Sequence, residues 1–206
     1  MSKVLIINYD ICNGCYNCQV ACKDEHVGND WSPIAKPQPD TGQFWTKIHD
    51  NVRGQVPKVK VTYEHSICQH CDEAPCIESC NVKAIYKRED GVVLIDQSRC
   101  TKCNKCAADC PYSAVRASGS GAAVSKCDFC AEDLARGQPP TCVAACPNRA
   151  LDWGEYDDLV KKHGGTDRVF PLADPAIARP ALVIRPHRHA ALVESRQPEV
   201  ANWEEI

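Results

Sequence analysis

The chain has 206 residues, enough for one compact domain or two small ones, with 44% hydrophobic residues, 25% charged residues and a formal charge of −3. That balance excludes a nucleic-acid binder, because no basic stripe with interleaved aromatics occurs, and no run approaches the ~18 consecutive apolar residues of a membrane span. The departure from an ordinary globular composition is cysteine, with 16 residues.

In chain order, "MSKVLIINYDIC" opens with the apolar run Val4, Leu5, Ile6, Ile7, ended by Asn8 and Asp10. It is too short for a signal peptide and has no small-residue cleavage site, so it predicts a strand. A cytoplasmic location is the default expectation, with export of the folded chain on a partner as the alternative. The first cysteine group follows: Cys12, Cys15, Cys18 and Cys22. Residues 23–57 form an insertion with Trp31, Pro33, Pro37, Pro39 and Trp45, whose weak periodicity suits partner contact or a loop covering group one. "KVKVTY" predicts a strand before group two, Cys68, Cys71, Cys76 and Cys80. "AIY", "KRED" with Gly91, and "GVVLID" predict a hairpin leading to group three, Cys100, Cys103, Cys106 and Cys110. Group four is Cys127, Cys130, Cys142 and Cys146. A brief helix is expected after each cysteine run. The tail from Gly164 to Ile206 holds several prolines and one short apolar strand, "ALVIRP", and is expected to wrap the domain or a partner.

So many cysteines point to a disulfide-stapled secreted domain or to metal held by thiolates. Spacing decides between them. Groups one and three read C-x2-C-x2-C-x3-C, while groups two and four keep the opening C-x2-C and closing C-x3-C around a wider gap. This is the bacterial ferredoxin run, in which three cysteines bind one cluster and the fourth binds the neighbouring cluster of a pair. Structural zinc also accepts four cysteines, but generally as two separated C-x2-C knuckles. Pro111 and Pro147 fit the ferredoxin run; Lys23 and Asn81 stand in the same position of groups one and two and depart from it. Four groups can pair by this crossing rule in three ways. Sequence distance favours two with three, which leaves one with four. Four [4Fe-4S] clusters at roughly −2 each would take the loaded chain to about −11.

The remaining candidates have plainer readings. His65 and His70 sit at group two, where four cysteines already complete a ligand set, so hydrogen bonding or packing is expected. Lys23, Lys102 and Lys105 lie in or beside cysteine groups, where a cation would raise a cluster's potential, although solvated lysine is equally consistent. No Gly-rich phosphate loop and no Ser/His/Asp or paired-carboxylate arrangement stands out. The residues describe wiring without a catalytic centre.

Four groups of four cysteines in this order, with the second and fourth widened, resemble the four-cluster electron-transfer (β) subunits of the molybdopterin oxidoreductases of the dimethyl sulfoxide reductase family. "ICQHCDEAPCIESC", "KREDGVVLID", "SKCDFC" and "CPNRALDWGEYDDLVKKHGG" running into "RPALVIRPH" are similar to the small subunit of dimethyl sulfoxide reductase. "DEHVGNDW" followed by "GQFWTKIHDNVRGQVP" is closer to the small subunit of pyrogallol-phloroglucinol transhydroxylase, from which this chain departs in keeping all sixteen cysteines. The resemblance implies four ligand sets: Cys12, Cys15, Cys18 and Cys146; Cys22, Cys127, Cys130 and Cys142; Cys68, Cys71, Cys76 and Cys110; Cys80, Cys100, Cys103 and Cys106. It also implies that the first two clusters lie toward a large molybdopterin or tungstopterin catalytic subunit. The other two would lie toward an external donor or acceptor, in relatives often a membrane quinol-oxidising subunit.

The expected fold is α+β, with two ferredoxin-like two-cluster modules, one inserted in the other. Residues 1–62 with 119–163 form the first, 63–118 the second, and 164–206 a partner-contacting tail. The expected function is non-catalytic one-electron relay to a pterin enzyme acting on a hydroxylated aromatic (hydroxylase, transhydroxylase or dehydroxylase type) or on a sulfoxide or N-oxide. The alternatives are a free polyferredoxin and the relay subunit of a hydrogenase or formate dehydrogenase.

Overall fold

In the computed structural model, which describes residues 3–26, 44–117, 124–165 and 173–188, the N-terminal apolar run becomes the middle strand of a three-stranded sheet. Strand β1 (Lys3–Asn8) lies antiparallel to Leu151–Glu155, pairing Lys3 with Glu155 and Ile7 with Leu151. On its other edge it lies parallel to Val183–Arg185, pairing Ile6 with Val183. Val4, Leu5, Ile6 and Ile7 are all buried, because both faces of the sheet are covered. Val4 and Ile6 pack with Leu159 of the helix Tyr156–His163, while Leu5 and Ile7 enter a core shared with Cys18, Cys142 and Cys146. A strand covered on both sides reads as a continuous apolar run and not as an alternation. Each such side chain contributes about 1.5–3 kcal/mol by leaving water.

The other elements are short. Helix α1 (Asn17–Glu25) carries Cys18 and Cys22, so it starts within the first cysteine run and not after it. The expected irregular insertion contains β2 (Thr46–Gln55), which forms a ten-pair hairpin with β3 (Lys58–Ile67) through Val56 and Pro57. The base of this hairpin is anchored: Ile48 and Ile67 are buried, and the Ile48 amide donates to Gln19 Oε1 of α1 at 2.8 Å. Its far end is open, with Val52 and Val56 exposed. Trp31, Pro33, Pro37 and Pro39 lie outside the described residues.

A second core forms around α2 (Pro75–Glu78), the hairpin β4 (Ile85–Lys87) to β5 (Val93–Ile95), α3 (Lys105–Ala108) and the pair β6 (Arg116–Ala117) with β7 (Val124–Ser125). Gly91 makes the β4–β5 turn at φ 87°, as the "KRED" signal requires. Val124 is buried in this second core, so β7 packs there, although the expected boundaries assign 119–163 to the module of the first cysteine group. Beyond it come α4 (Ala131–Ala135), α5 (Thr141–Ala144), β8 (Leu151–Glu155) and α6 (Tyr156–His163), then a 3-10 turn at Pro175–Ile177 and β9 (Val183–Arg185). Part of the expected partner-contacting tail is therefore interior: Leu182, Val183 and Ile184 are buried in the main sheet, and Ala178 lies in the second core. Residues 189–206 lie outside the described residues. The architecture is mixed α and β with brief helices and strands, compatible with a ferredoxin-like fold. Among the described residues, no helix is long and apolar enough to cross a membrane.

Candidate metal centres

None of the sixteen cysteines is paired in a disulfide. What aims them is a repeated backbone device. In each opening C-x2-C, the residue before the second cysteine has positive φ: Gly14 at 65°, His70 at 45°, Lys102 at 59° and Phe129 at 62°. Groups one and three repeat it just after that cysteine, at Tyr16 (60°) and Asn104 (61°), which lead into α1 and α3. Left-handed residues fold the loop back on itself, so that its thiols converge. At Gly14 the demand is also steric, because a Cβ there would lie 2.1 Å from Tyr63 Cε1.

A second device follows the fourth cysteine of groups two, three and four. Lys83, Ser113 and Arg149, each three residues on, have positive φ, and the next amide turns onto the sulfur. Ala84 donates to Cys80 Sγ at 3.2 Å, Ala114 to Cys110 Sγ at 3.4 Å and Ala150 to Cys146 Sγ at 3.2 Å. The sequence signal is the alanine four residues past the cysteine in "CNVKA", "CPYSA" and "CPNRA", which cysteine spacing by itself does not reveal. All three alanines are buried. Group one lacks both alanine and proline there; its helix runs on to Glu25, and Cys22 accepts from the Thr46 amide instead.

The thiols most strongly coupled to one another fall into four neighbourhoods. Cys12 and Cys18 feel Cys15 and Cys146; Cys22 feels Cys127 and Cys130, and Cys142 feels Cys22 and Cys130. Cys71 feels Cys68, Cys76 and Cys110; Cys106 feels Cys100, Cys103 and Cys80. One cavity is lined by Cys12, Cys15, Cys18 and Cys146 together with His65, and another by Cys80, Cys100, Cys103 and Cys106. Burial first, and neighbouring thiolates second, push Cys18, Cys71 and Cys76 up to about 12. Such thiols keep their protons until a cation arrives, so loading would release them. Cys80 runs the other way: burial pushes it up, but the amides of Ala84, Ile85, Val82 and Lys83 outweigh that and lower it. Soft, all-sulfur donor sets supplied with N–H groups suit iron–sulfur cubanes.

Between neighbourhoods the electrostatic influence of thiol on thiol runs in a line. Cys142 also feels Cys18, Cys127 also feels Cys68, and Cys76 also feels Cys106. The two exposed cysteines are Cys15 and Cys103, at opposite ends of that line.

The histidines are arranged around sulfur and backbone. His65, adjacent to group two in sequence, lies with Nε2 3.6 Å from Cys12 Sγ of group one. Burial holds its imidazole down to about 4, so the ring is neutral, and in the tautomer with the proton on Nε2 it is placed to donate to Cys12 Sγ once that sulfur is a thiolate. His70 accepts from the Val93 amide at 3.0 Å and meets Phe129 edge to face at 5.3 Å. His26, which no sequence signal singles out, has Nε2 3.6 Å from Cys130 Sγ and packs at a tilt against the Trp45 ring, with centroids 4.0 Å apart. His26, Asp128 and Cys130 place their ligand atoms within 4.8 Å of one another, a grouping that shares Cys130 with the second neighbourhood. Lys23 covers the Phe44 ring at 4.4 Å, whereas Lys102 and Lys105 are exposed at the rim of the group-three cavity.

Comparison with known proteins agrees with this chemistry. The 4Fe-4S dicluster domain matches residues 59–156. Over 95% of this chain and 94% of the relative, the sequence is 35% identical to the B chain of anaerobic dimethyl sulfoxide reductase from Escherichia coli (strain K12). It is 32% identical, over the same shares, to the B chain of the same enzyme from Haemophilus influenzae. It is also 32% identical to the B subunit of sulfite dehydrogenase from Allochromatium vinosum, over 75% of this chain and 69% of the relative.

Proposed function

The chain belongs to the family of iron–sulfur B chains of the dimethyl sulfoxide reductases, non-catalytic electron-transfer subunits, and from that premise we propose that it relays single electrons through four [4Fe-4S] clusters to or from a molybdopterin or tungstopterin catalytic subunit. The observation that carries the reading is the line of thiol neighbourhoods, with Cys15 exposed at one end and Cys103 at the other.

The ligand sets we assign are Cys12, Cys15, Cys18 and Cys146; Cys22, Cys127, Cys130 and Cys142; Cys68, Cys71, Cys76 and Cys110; and Cys80, Cys100, Cys103 and Cys106. Each cluster, when bound, supplies a one-electron couple whose potential answers to hydrogen bonding, charge and burial. The chain's own residues do the rest. Cys18 and Cys142, Cys68 and Cys127, and Cys76 and Cys106 bear electrostatically on one another between successive sets, and Phe129, Val93 and Tyr112 are buried. The amides of Ala84, Ala114 and Ala150 and the His65 N–H favour added electron density on sulfur.

The assigned sets imply two nested two-cluster modules, the inner one built from groups two and three. The Cys15 end faces the pterin subunit and the Cys103 end an external donor or acceptor, which a membrane quinone-linked subunit would supply. Substrate chemistry belongs to the partner. Similarity along nearly the whole chain to dimethyl sulfoxide reductase B chains favours a sulfoxide or N-oxide, and residues 24–31 and 42–57 keep a hydroxylated aromatic as the second class.

The test is metal content of the chain isolated without oxygen from its native host. About 16 iron per chain, with about one molybdenum or tungsten in a co-purifying large chain, is the expected result. Iron at that level with neither heavier metal would favour a polyferredoxin or hydrogenase relay, and zinc in place of iron would sink the proposal. Assays of the complex with a sulfoxide and with a hydroxylated aromatic separate the two substrate classes.

A further inference from the structure

Where the two cores meet, one cation is buried without a carboxylate. Lys126, at 3% exposure, donates to the carbonyl of Val93 and, at 2.9 Å, to that of Cys127. No acidic side chain lies within ion-pair distance of it among the described residues. Lys87 makes the contrast. It also reaches toward His70, but it is paired with Asp72 at 2.6 Å and is partly exposed. A buried ammonium surrounded only by carbonyl dipoles is costly unless an anion answers it.

The anions at hand are thiolates on both sides of the junction. Lys126 Nζ is held between the carbonyl of Val93, which packs in the core of Cys71, Cys76 and Cys80, and the carbonyl of Cys127, which packs against the core of Cys18, Cys142 and Cys146. The backbone holds this arrangement. Val93 accepts from Lys126 through its carbonyl and donates through its amide to His70, whose ring meets Phe129 across the junction. Among the described residues, Lys126 is thus a buried cation without a carboxylate partner between the sets assigned to Cys22, Cys127, Cys130 and Cys142 and to Cys68, Cys71, Cys76 and Cys110.

We propose that Lys126 is the common counter-charge of the two middle clusters, raising the electron affinity of both so that an electron crosses between the halves of the chain without a steep step. It acts through the field it exerts on the ligand sulfurs, and so is a positioning residue and not a catalytic one. One electron would leave the cluster on one side and enter the cluster on the other, with no bond made or broken at Lys126. The inference rests on the four-cluster reading above.

The experiment compares Lys126→Met and Lys126→Arg with the unaltered chain, each in complex with its large subunit and purified without oxygen. Iron is counted per chain, and midpoint potentials are followed by electron paramagnetic resonance during redox titration. In Lys126→Met, two midpoints fall, each by about tenfold in electron affinity or ~59 mV for a one-electron couple, while the other two and the iron count stay. Lys126→Arg keeps all four. Unmoved midpoints with iron intact, or an equal fall in all four, would overturn the inference. If Lys126→Met loses iron, Lys126→Gln, which can still bond the Val93 carbonyl, repeats the comparison. Iron loss from both neutral variants assigns Lys126 to assembly and overturns it too. Absence of four iron–sulfur couples from the unaltered chain would instead sink the relay reading, so the two failures are distinguishable.

Discussion

At the scale of single residues, the sulfurs are tuned by groups whose positions follow from two different logics. The amides of Ala84, Ala114 and Ala150 follow from local sequence, because a small residue four places past the cysteine lets the backbone close on it. His65 follows from nothing local: it stands three residues before group two yet places Nε2 3.6 Å from Cys12 Sγ, 53 positions away. A donor bonded to an anionic sulfur favours the more negative, reduced state. His65→Leu removes the donor and should lower the midpoint potential of the cluster that Cys12 is assigned to, by the equivalent of roughly 1–2 kcal/mol. His65→Gln, which keeps an N–H, should restore part of it. Redox titration followed by electron paramagnetic resonance checks both, and a fall of equal size in the two variants would assign His65 to packing alone.

At the scale of elements, tertiary cover decides what each segment is. The strand β1 was legible because four consecutive apolar residues can be buried only where both faces of a sheet are covered, and Leu159 on one face and Val143 on the other supply that cover. The hairpin β2–β3 was half legible: "KVKVTY" has β-branched alternation, but its partner "TKIHDNVRGQ" carries polar residues at most positions and is a strand because β3 pairs with it. Helix α6 places Asp157 and Asp158 in its first turn and Lys161, Lys162 and His163 in its last, which suits its dipole. Its C-terminal end is tied to β8 through Asp152 Oδ2, 2.7 Å from Lys162 Nζ and 2.8 Å from His163 Nε2. Burial raises the Asp152 carboxyl, but these two partners outweigh it and hold the group below its ordinary value. The folded state then binds fewer protons than the unfolded one in the window below about pH 4. The stabilisation is full above that window and is lost as pH falls through the depressed value. Asp152→Asn should therefore lower the thermal midpoint by ~2–4 °C at neutral pH, for a loss of about 1 kcal/mol from a partly exposed pair. Circular dichroism melting of the loaded protein measures it, and no change would show that α6 is held by Leu159 and Val160 alone.

At the scale of the whole molecule, the assigned ligand sets cross between distant segments. Cys22 belongs by sequence to group one, but its thiol lies among Cys127, Cys130 and Cys142, while Cys146 lies among Cys12, Cys15 and Cys18. Cys22→Ser should therefore empty or convert the cluster assigned to Cys127, Cys130 and Cys142, with a loss of up to about four iron, and leave the cluster at Cys12, Cys15 and Cys18 intact. Iron analysis with electron paramagnetic resonance tells the two apart. Loss of the signal assigned to the Cys12 set in its place would refute the crossed assignment.

What the sequence determined by itself is whatever the chain's own short-range geometry controls. Gaps of two residues hold the opening cysteines of each group together, and the apolar runs, the "KRED" turn and the charge order of α6 act within a few bonds of themselves. Only the tertiary structure decided the relations between segments. It brought Cys146 to Cys12, brought His65 to a loop it does not adjoin, and buried β9 in the sheet of β1. It also left Lys126 enclosed where two cores meet. The physical reason is that ligand spacing is bounded by the length of the covalent chain, whereas which groups share a site depends on how the cores bury their apolar surface, and that burial is a property of many distant residues at once.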